Sequence, residues 1–394
     1  MEKIKVIDSI MGSGKTSYAI QMINANPDKS FIYITPFLKE VQRIKEQCQS
    51  ANFYEPREEK GKFRNFHELL TSGKNIVSTH SLFRRSNDET KELLANNDYI
   101  LILDEVLDIL EPVDLGKDDL PSMLELKLCH VDEKGFIVWD KPDYDGKYNS
   151  IKELSATKGL FVVDDIVLLW LFPKEIFDCF SEVYVLTYMF KSQMQHYYFQ
   201  YYWMDHETYQ MTCKNGVYDV LPHDGTTGDK SNIKIKIVEG SQTNNIGKEE
   251  YALSNNWYKQ HKKSLPILRK NLQNFFRNIA STPAKFNLWT TFKDYQQNLS
   301  GDGYASGFLA HNARATNDYR HKTAVAYTVN RFFNPFVKKF FSYNDIKLDE
   351  DGYALSEMLQ FLFRSAIREG QEIYLYLPSK RMRRLLNNWL SGQI

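Results

Sequence analysis

Four cysteines in 394 residues, Cys48, Cys129, Cys179 and Cys213, lie far apart with no paired spacing. This scarcity excludes a zinc module built on paired cysteines and a disulfide scaffold, and it fits a reducing compartment. An excess of either charge is also missing, because 50 Lys and Arg residues face 50 Asp and Glu residues. A global basic field is thereby excluded as the means of holding nucleic acid, whereas local basic strips are not. Long hydrophobic runs are absent too. The most apolar stretch, "LFVVDDIVLLWLF" at 160–172, is too short to span a bilayer and is interrupted by Asp164 and Asp165. No signal peptide precedes the first apolar strand. The expected setting is the cytoplasm, with no membrane partner.

What is present describes a folded chain. Apolar residues make up 42% and charged residues 25%, and the length exceeds what one hydrophobic core usually organises. Aromatic residues reach 14%, which core packing largely accounts for, leaving a minority of rings for stacking on bases.

Short apolar runs recur along the first half: "IKVIDSI" (4–10), "FIYITP" (31–36), "NIVSTHSL" (75–82), "YILILDEV" (99–106) and "EVYVLTY" (182–188). Between the first four lie stretches with apolar residues at helical spacing. Such alternation predicts an α/β fold with a parallel sheet covered on both faces. The pattern returns in "KFNLWTTF" (285–292), "SGFLAHN" (306–312), "AVAYTVN" (324–330) and "EIYLYLP" (372–378). This predicts an N-terminal lobe over 1–199 with an irregular insertion at about 112–157, an insertion or linker at 200–270, and a C-terminal lobe over 271–394.

The segment "DSIMGSGKTSYAI" (8–20) meets the phosphate-loop pattern G-x-x-x-x-G-K-[ST], except that Ser9 stands in the first glycine position. A phosphate loop needs small residues so that backbone N–H groups converge on oxygens. It also needs a lysine for the outer phosphates and a hydroxyl for Mg²⁺, at the start of a helix. Met11, Gly12, Ser13, Gly14, Lys15, Thr16 and Ser17 are therefore the expected ATP-binding residues, with Lys15 on the phosphates and Thr16 on the metal. A tight strand-to-helix turn that happens to hold a lysine is the plainer alternative, and the strand–loop–helix context argues against it. Roughly 90 residues on, "YILILDEV" delivers Asp104 and Glu105 at the end of an apolar strand, where ligands sit in open α/β sheets. Asp104 is expected to hold Mg²⁺, and Glu105 to orient or deprotonate the attacking water.

With these motifs the chain resembles superfamily 2 helicases, the DExD/H-type motors with two RecA-like lobes, and more narrowly the compact helicase-like proteins of phages. "SIMGSGKT" resembles motif I and "LDEV" motif II. "TPFLKEV" is placed like motif Ia, which implies that Thr35 and Pro36 contact nucleic acid. "VSTHSLF" resembles the segment whose Thr-His pair touches the sugar-phosphate backbone, here Thr79 and His80. "VLTYMF" stands where the family's Ser-Ala-Thr couples hydrolysis to lobe movement, and Thr187 is the residue retained. "NARATN" resembles motif V and assigns Arg314, Thr316 and Asn317 to nucleic acid, with Ala315 in the usual glycine place. "QFLFRSAIR" resembles motif VI, giving catalytic roles to Gln360, Arg364 and Arg368. The two arginines are four residues apart, the spacing of one helix face, and an arginine from the second lobe is expected to meet the developing phosphate charge.

The resemblance implies an ATP- and Mg²⁺-dependent motor acting on single-stranded or forked DNA, with RNA as a further substrate class. It implies a phage or bacterial-host cytoplasm, and replication or recombination proteins as partners. The second lobe is expected to be trimmed, because only about 13 residues separate "NLWTTF" from "SGFLAHN". "YYFQYYW" (197–203) and the basic "YKQHKKSLPILRK" (258–270) are further places where a single strand could touch, although a run like the latter is ordinarily a solvated face. Two other classes stay open: a packaging ATPase, against which the strand ends after 280 argue, and a nucleotide-dependent binding module that never translocates.

Overall fold

The computed structural model describes residues 3–36, 38–59, 61–311 and 319–394. In chain order the strands are β1 (Ile4–Asp8), β2 (Ser30–Thr35), β3 (Ile76–Thr79) and β4 (Tyr99–Asp104). Next come β5 (Leu110–Pro112), β6 (Cys129–Val131), β7 (Ile137–Trp139), β8 (Leu160–Val163) and β9 (Val167–Leu171). They are followed by β10 (Glu182–Thr187), β11 (His206–Lys214) and β12 (Val217–Pro222). The last four are β13 (Ile235–Ile237), β14 (Asn287–Thr290), β15 (Ala324–Tyr327) and β16 (Ile373–Tyr376).

The chain divides into two units. The first holds Met1–Ser9, Ser13–His223 and Asn334–Leu348, and the second holds Ile10–Gly12, Asp224–Phe333 and Asp349–Ile394. Each is built on a parallel sheet, the α/β architecture expected from the recurring apolar runs. In the first unit the order is β12-β11-β1-β10-β4-β2-β3, and all neighbours are parallel except the β11–β12 hairpin. Every residue of β4 is buried, as a strand covered by helices on both faces must be. The apolar faces of helices Lys15–Ala25 and Leu38–Gln47 supply part of that cover, through Ala19, Ile23, Val41 and Ile44.

Three segments depart from the expected boundaries. First, 200–270 is not a linker. Residues up to His223 complete the first sheet: β11 lies parallel to β1, and Asn215-Gly216, both at positive φ, turn the chain back into β12. Residues after it supply β13, the edge of the second sheet, whose order is β13-β16-β15-β14. Second, the block at 112–157 is ordered within a small module, with β5-β9-β8 forming one sheet and β6-β7 a hairpin. The apolar run 160–172 is its β8–β9 hairpin. Asp164 and Asp165 take the left-handed turn conformation between the two strands, which is why two carboxylates interrupt the run. Third, helix Pro335–Tyr343 belongs with the first unit. Phe340 packs on Phe161 and Tyr201, and Lys339 and Tyr343 bind the Asp164 carboxylate.

In the second unit the described residues of "SGFLAHN", 306–311, form no strand of their own. They contribute to a turn at Ala305–Gly307 and a single bridge from Phe308 to Trp289. Among the described residues no helix is long and apolar enough to cross a membrane, and all four cysteines are free.

Candidate phosphate and carboxylate site

β1 carries its apolar run as far as Asp8, and the next residues have to turn sharply into helix Lys15–Ala25. Gly12 at φ 85 and Gly14 at φ 95 supply that turn, in a backbone region that L side chains rarely adopt. Gly14 is the helix N-cap. The helix has no side-chain cap and no acidic residue in its first turn, so no side chain of its own competes with an anion there. Lys15 is buried at 9% exposure and donates from Nζ to the Ser9 carbonyl. The Ser13 hydroxyl is buried without a hydrogen-bond partner among the described residues. Ser9, in the place usually held by glycine, accepts from the Met211 N–H at 2.7 Å and so ties the loop to β11.

The sheet then brings the second motif to the loop. β10 lies between β1 and β4, in register so that Asp8 faces Thr187 and Leu186 faces Asp104. The Thr16 hydroxyl reaches Oδ2 of Asp104 at 3.4 Å, and the Tyr33 hydroxyl donates to the same oxygen at 2.8 Å. Burial, reinforced by the neighbouring Glu105 charge, pushes the Asp104 carboxyl up to about 7, against the pull of the Tyr33 hydrogen bond. Glu105 sits at φ 72, a strained conformation for a side-chain-bearing residue, and its N–H is anchored on the Leu186 carbonyl at 2.9 Å.

The ends of five parallel strands thus align along one edge. Thr35 and Thr79 are register partners at the ends of β2 and β3, joining Asp8, Thr187 and Asp104 on the edge where open α/β sheets bind ligands. Their accessibility differs. Thr35 and His80 are buried, Pro36 is half-exposed, and the Thr79 hydroxyl meets Ser81 at 3.0 Å. A buried His80 at the head of helix His80–Phe83 presents no ring to a strand passing outside. The "YYFQYYW" rings are likewise mostly core: Tyr197, Tyr198 and Phe199 are buried, whereas Trp203 is 90% exposed.

In the second unit Gln360 lies half-buried in helix Glu350–Leu362. The expectation that Arg364 and Arg368 share a helix face fails. The helix ends at Leu362, where the Ser365 hydroxyl bonds the Leu362 carbonyl at 2.6 Å. Arg364 is half-buried in the turn that follows, and Arg368 is exposed on the separate 3₁₀ turn Ala366–Glu369. Arg314, Thr316 and Asn317 lie outside the described residues.

The structure adds residues that motif reading passed over. Asp8 accepts the N–H groups of Met189 and Phe190 at 2.7 and 2.8 Å. Gln193 donates to the Thr187 hydroxyl at 3.1 Å, and the buried Gln195 accepts from the Leu107 N–H at 2.9 Å. Tyr218 of β12 lies against Gly14. A carboxylate closing the apolar "IKVID" and the Asn-Gly pair in "CKNGVYDV" were the available signals for Asp8 and for the Tyr218 hairpin. The two glutamines carry none.

Comparison with known proteins agrees with the domain pattern. Residues 110–170 match the YonV middle domain, and 229–390 match the YonV C-terminal Rossmann-like domain. Over the full length of both chains, the sequence is 42% identical to the SPbeta prophage-derived uncharacterized protein YonV of Bacillus subtilis (strain 168). The chain belongs to the YonV family. The module at 110–170 and the sheet that begins at β13 therefore fall within family domains. Among solved structures, S. tokodaii Xpd4 aligns over 98% of this chain and 94% of its own, with TM-score 0.48 and 12% identity. An XPD helicase aligns over the same shares, with TM-score 0.42 and 10% identity.

Proposed function

We propose that this YonV-family chain hydrolyses ATP with Mg²⁺ and uses the turnover to move along, unwind or remodel nucleic acid, DNA foremost and RNA as a second class. The observation that carries the reading is the facing of Thr16 and Asp104 at 3.4 Å beneath an uncapped helix start. The residues present fit the nucleotide. Converging N–H groups, the Ser13 hydroxyl and Lys15 suit phosphate oxygens, while the Thr16 hydroxyl and the Asp104 carboxylate are hard oxygen donors of the kind magnesium takes. A carboxyl raised to about 7 is also one that a nearby cation would help to ionise. Bound magnesium ATP supplies a cleavable phosphoanhydride and a Lewis acid on its phosphates.

The chain's own groups do the rest. Lys15 exchanges the Ser9 carbonyl for phosphate oxygens. Glu105, held in a strained turn next to Asp104, orients water and takes its proton. Thr187 is assigned to report the state of the site along β10, a reading supported by its register with Asp8 and its hydrogen bond from Gln193. Arg364 and Arg368 are candidates for the arginine that meets developing charge, and the exposed Arg368 is the stronger of the two.

The decisive measurement is ATP turnover by the purified chain, alone and with single-stranded, duplex and forked DNA. Turnover stimulated by one of these and abolished by Lys15→Ala is the expected result. Turnover in Lys15→Ala equal to the unaltered chain would remove the phosphate-site reading. A second reading, a nucleotide-dependent binding module without translocation, is favoured by "VLTYMF", in which the Ser-Ala-Thr of superfamily 2 helicases is reduced to Thr187. It predicts turnover indifferent to every DNA form.

A further inference from the structure

From Tyr251 to Lys293 the chain holds eight lysines and arginines and no aspartate or glutamate, within a sequence whose total charge is zero. Elsewhere cations are routinely neutralised, as Lys5 is by Glu182, Lys158 by Asp88 and Arg320 by Glu369. In the second unit part of this basic stretch folds into helix Leu265–Asn274, preceded by the turn Lys262–Ser264. The helix buries Leu265, Leu268 and Leu272 and turns its other face outward. That face lines a groove of about 630 Å³, whose opposite wall is the short helical segment that follows β14.

Three exposed cations, Lys262, Arg269 and Lys270, stand in the groove and make no ion pair among the described residues. Three like charges around a groove with a single carboxylate repel one another in the free protein, and an anionic ligand relieves that repulsion. The remaining polar groups narrow the class. Gln273 and Asn298 add amides that both donate and accept. Tyr295, half-buried against Tyr258 with ring centroids 4.8 Å apart, offers an aromatic edge or face at the groove wall. Asp294 is the sole carboxylate among the lining residues. It opposes a bare phosphate ion and suits a ligand that carries hydrogen-bond donors beside its phosphates, as nucleobases do.

The volume is that of a small-molecule site, roughly 300–1,000 Å³. It admits a short length of one strand, whereas a rigid duplex can only rest on the rim. We infer that this groove binds the sugar-phosphate backbone of a single nucleic-acid strand, with Lys262, Arg269 and Lys270 on phosphates and Tyr295, Gln273 and Asn298 facing bases. The ligand class rests on the nucleic-acid reading above. The groove and its unpaired charge do not depend on the phosphate loop.

The test is fluorescence anisotropy of a labelled single-stranded 20-mer, as DNA and as RNA, against the full chain. It compares Lys262→Ala/Arg269→Ala/Lys270→Ala with a control that removes equal charge from the middle module, Lys127→Ala/Lys134→Ala/Lys141→Ala. The groove variant should lose about tenfold or more in affinity. Its slope of log affinity against log salt should fall by about 2, the value for three single-strand phosphate contacts. The control should lose neither, and both variants should melt like the unaltered chain. Equal losses in both variants, binding by the groove variant equal to the unaltered chain, or displacement of the oligonucleotide by polyglutamate at matched charge would overturn the inference, the last in favour of an acidic protein segment. Tighter binding of blunt duplex than of single strand, lost equally in the groove variant, would overturn the single-strand assignment. ATP turnover without nucleic acid, measured on the same preparations, separates the two readings. A chain that binds through the groove but hydrolyses nothing sinks the phosphate-site reading alone, and a chain that hydrolyses but binds without the groove sinks this one alone.

Discussion

Tyr218 lies so close to Gly14 that a methyl group on the glycine would sit 2.1 Å from Cε1 of the ring. The backbone at Gly14 is also left-handed, at φ 95. Gly14→Ala therefore fails for two separable reasons, overlap with Tyr218 and a conformational cost of roughly 1–2 kcal/mol. Nucleotide affinity should be lost in Gly14→Ala and largely kept in Tyr218→Ala. In the double variant it should be partly restored, because the overlap is gone and only the backbone cost remains. Titration with a fluorescent nucleotide analogue reads all three, and a double variant no better than Gly14→Ala would show that the ring contact is immaterial.

The glycine turn between β1 and helix Lys15–Ala25 and the Asp104-Glu105 turn were legible because each follows an apolar run, so the strand and its C-terminal edge are encoded together. β11 was not. Its residues, "HETYQMTCK", are half-exposed along the strand and lack the Val, Ile and Leu density of a central strand. It joins the sheet through pairing with β1, some two hundred residues earlier in the chain. Helix Pro335–Tyr343 defeats local reading for the same reason, since its partners Asp164, Phe161 and Tyr201 are remote in sequence. The arginine pair was misplaced by a local competitor. Ser365 takes an extended conformation and its hydroxyl takes up the Leu362 carbonyl, which ends the helix before Arg364 and leaves Arg368 on a separate turn.

Glu105→Gln separates holding the nucleotide from cleaving it. The amide keeps the side chain's size and the strained turn, and the proposed metal ligands Thr16 and Asp104 remain in place. An amide does not take a proton from water, so turnover should fall by a factor of about 10²–10⁴ with nucleotide affinity nearly unchanged. Loss of affinity with turnover per bound nucleotide preserved would reverse the roles assigned to the two carboxylates.

The raised Asp104 carboxyl also makes stability depend on pH. Its ordinary value is 3.8, and in the fold it lies at about 7, chiefly through burial. Between those values the folded chain keeps a proton that the unfolded chain releases, so this group favours folding at low pH. That advantage is lost as pH rises through about 7. Without metal, melting temperature should fall as pH rises from about 5 to about 8. The fall should shrink in Asp104→Asn, which has nothing to titrate, and in excess Mg²⁺, which stabilises the ionised form. Identical pH profiles for the variant and the unaltered chain, both in chelator, would contradict the assignment.

Asp8 fastens the start of the proposed phosphate loop to the chain beyond β10, because its two oxygens take the N–H groups of Met189 and Phe190 at 2.7 and 2.8 Å. Met189 is held at φ 55, a conformation that needs such anchoring. Burial raises the Asp8 carboxyl above its ordinary range, and the two backbone bonds work against that rise. Asp8→Asn preserves one acceptor and turns the other into a donor aimed at an N–H, a cost on the order of 1–3 kcal/mol. A purely structural role would lower stability and leave the site's chemistry alone at temperatures where both proteins are folded. The register of Asp8 with Thr187, and of Leu186 with Asp104, argues for more. Loosening the turn after Thr187 shifts β10 relative to the Asp104-Glu105 pair, to which it is bonded through the Glu105 N–H and Leu186 carbonyl. Turnover should then fall in Asp8→Asn while affinity, set by Lys15 and the loop N–H groups, changes little. The measurement is turnover and nucleotide affinity side by side, well below the melting temperature of the variant. Unchanged turnover there would confine Asp8 to holding the fold.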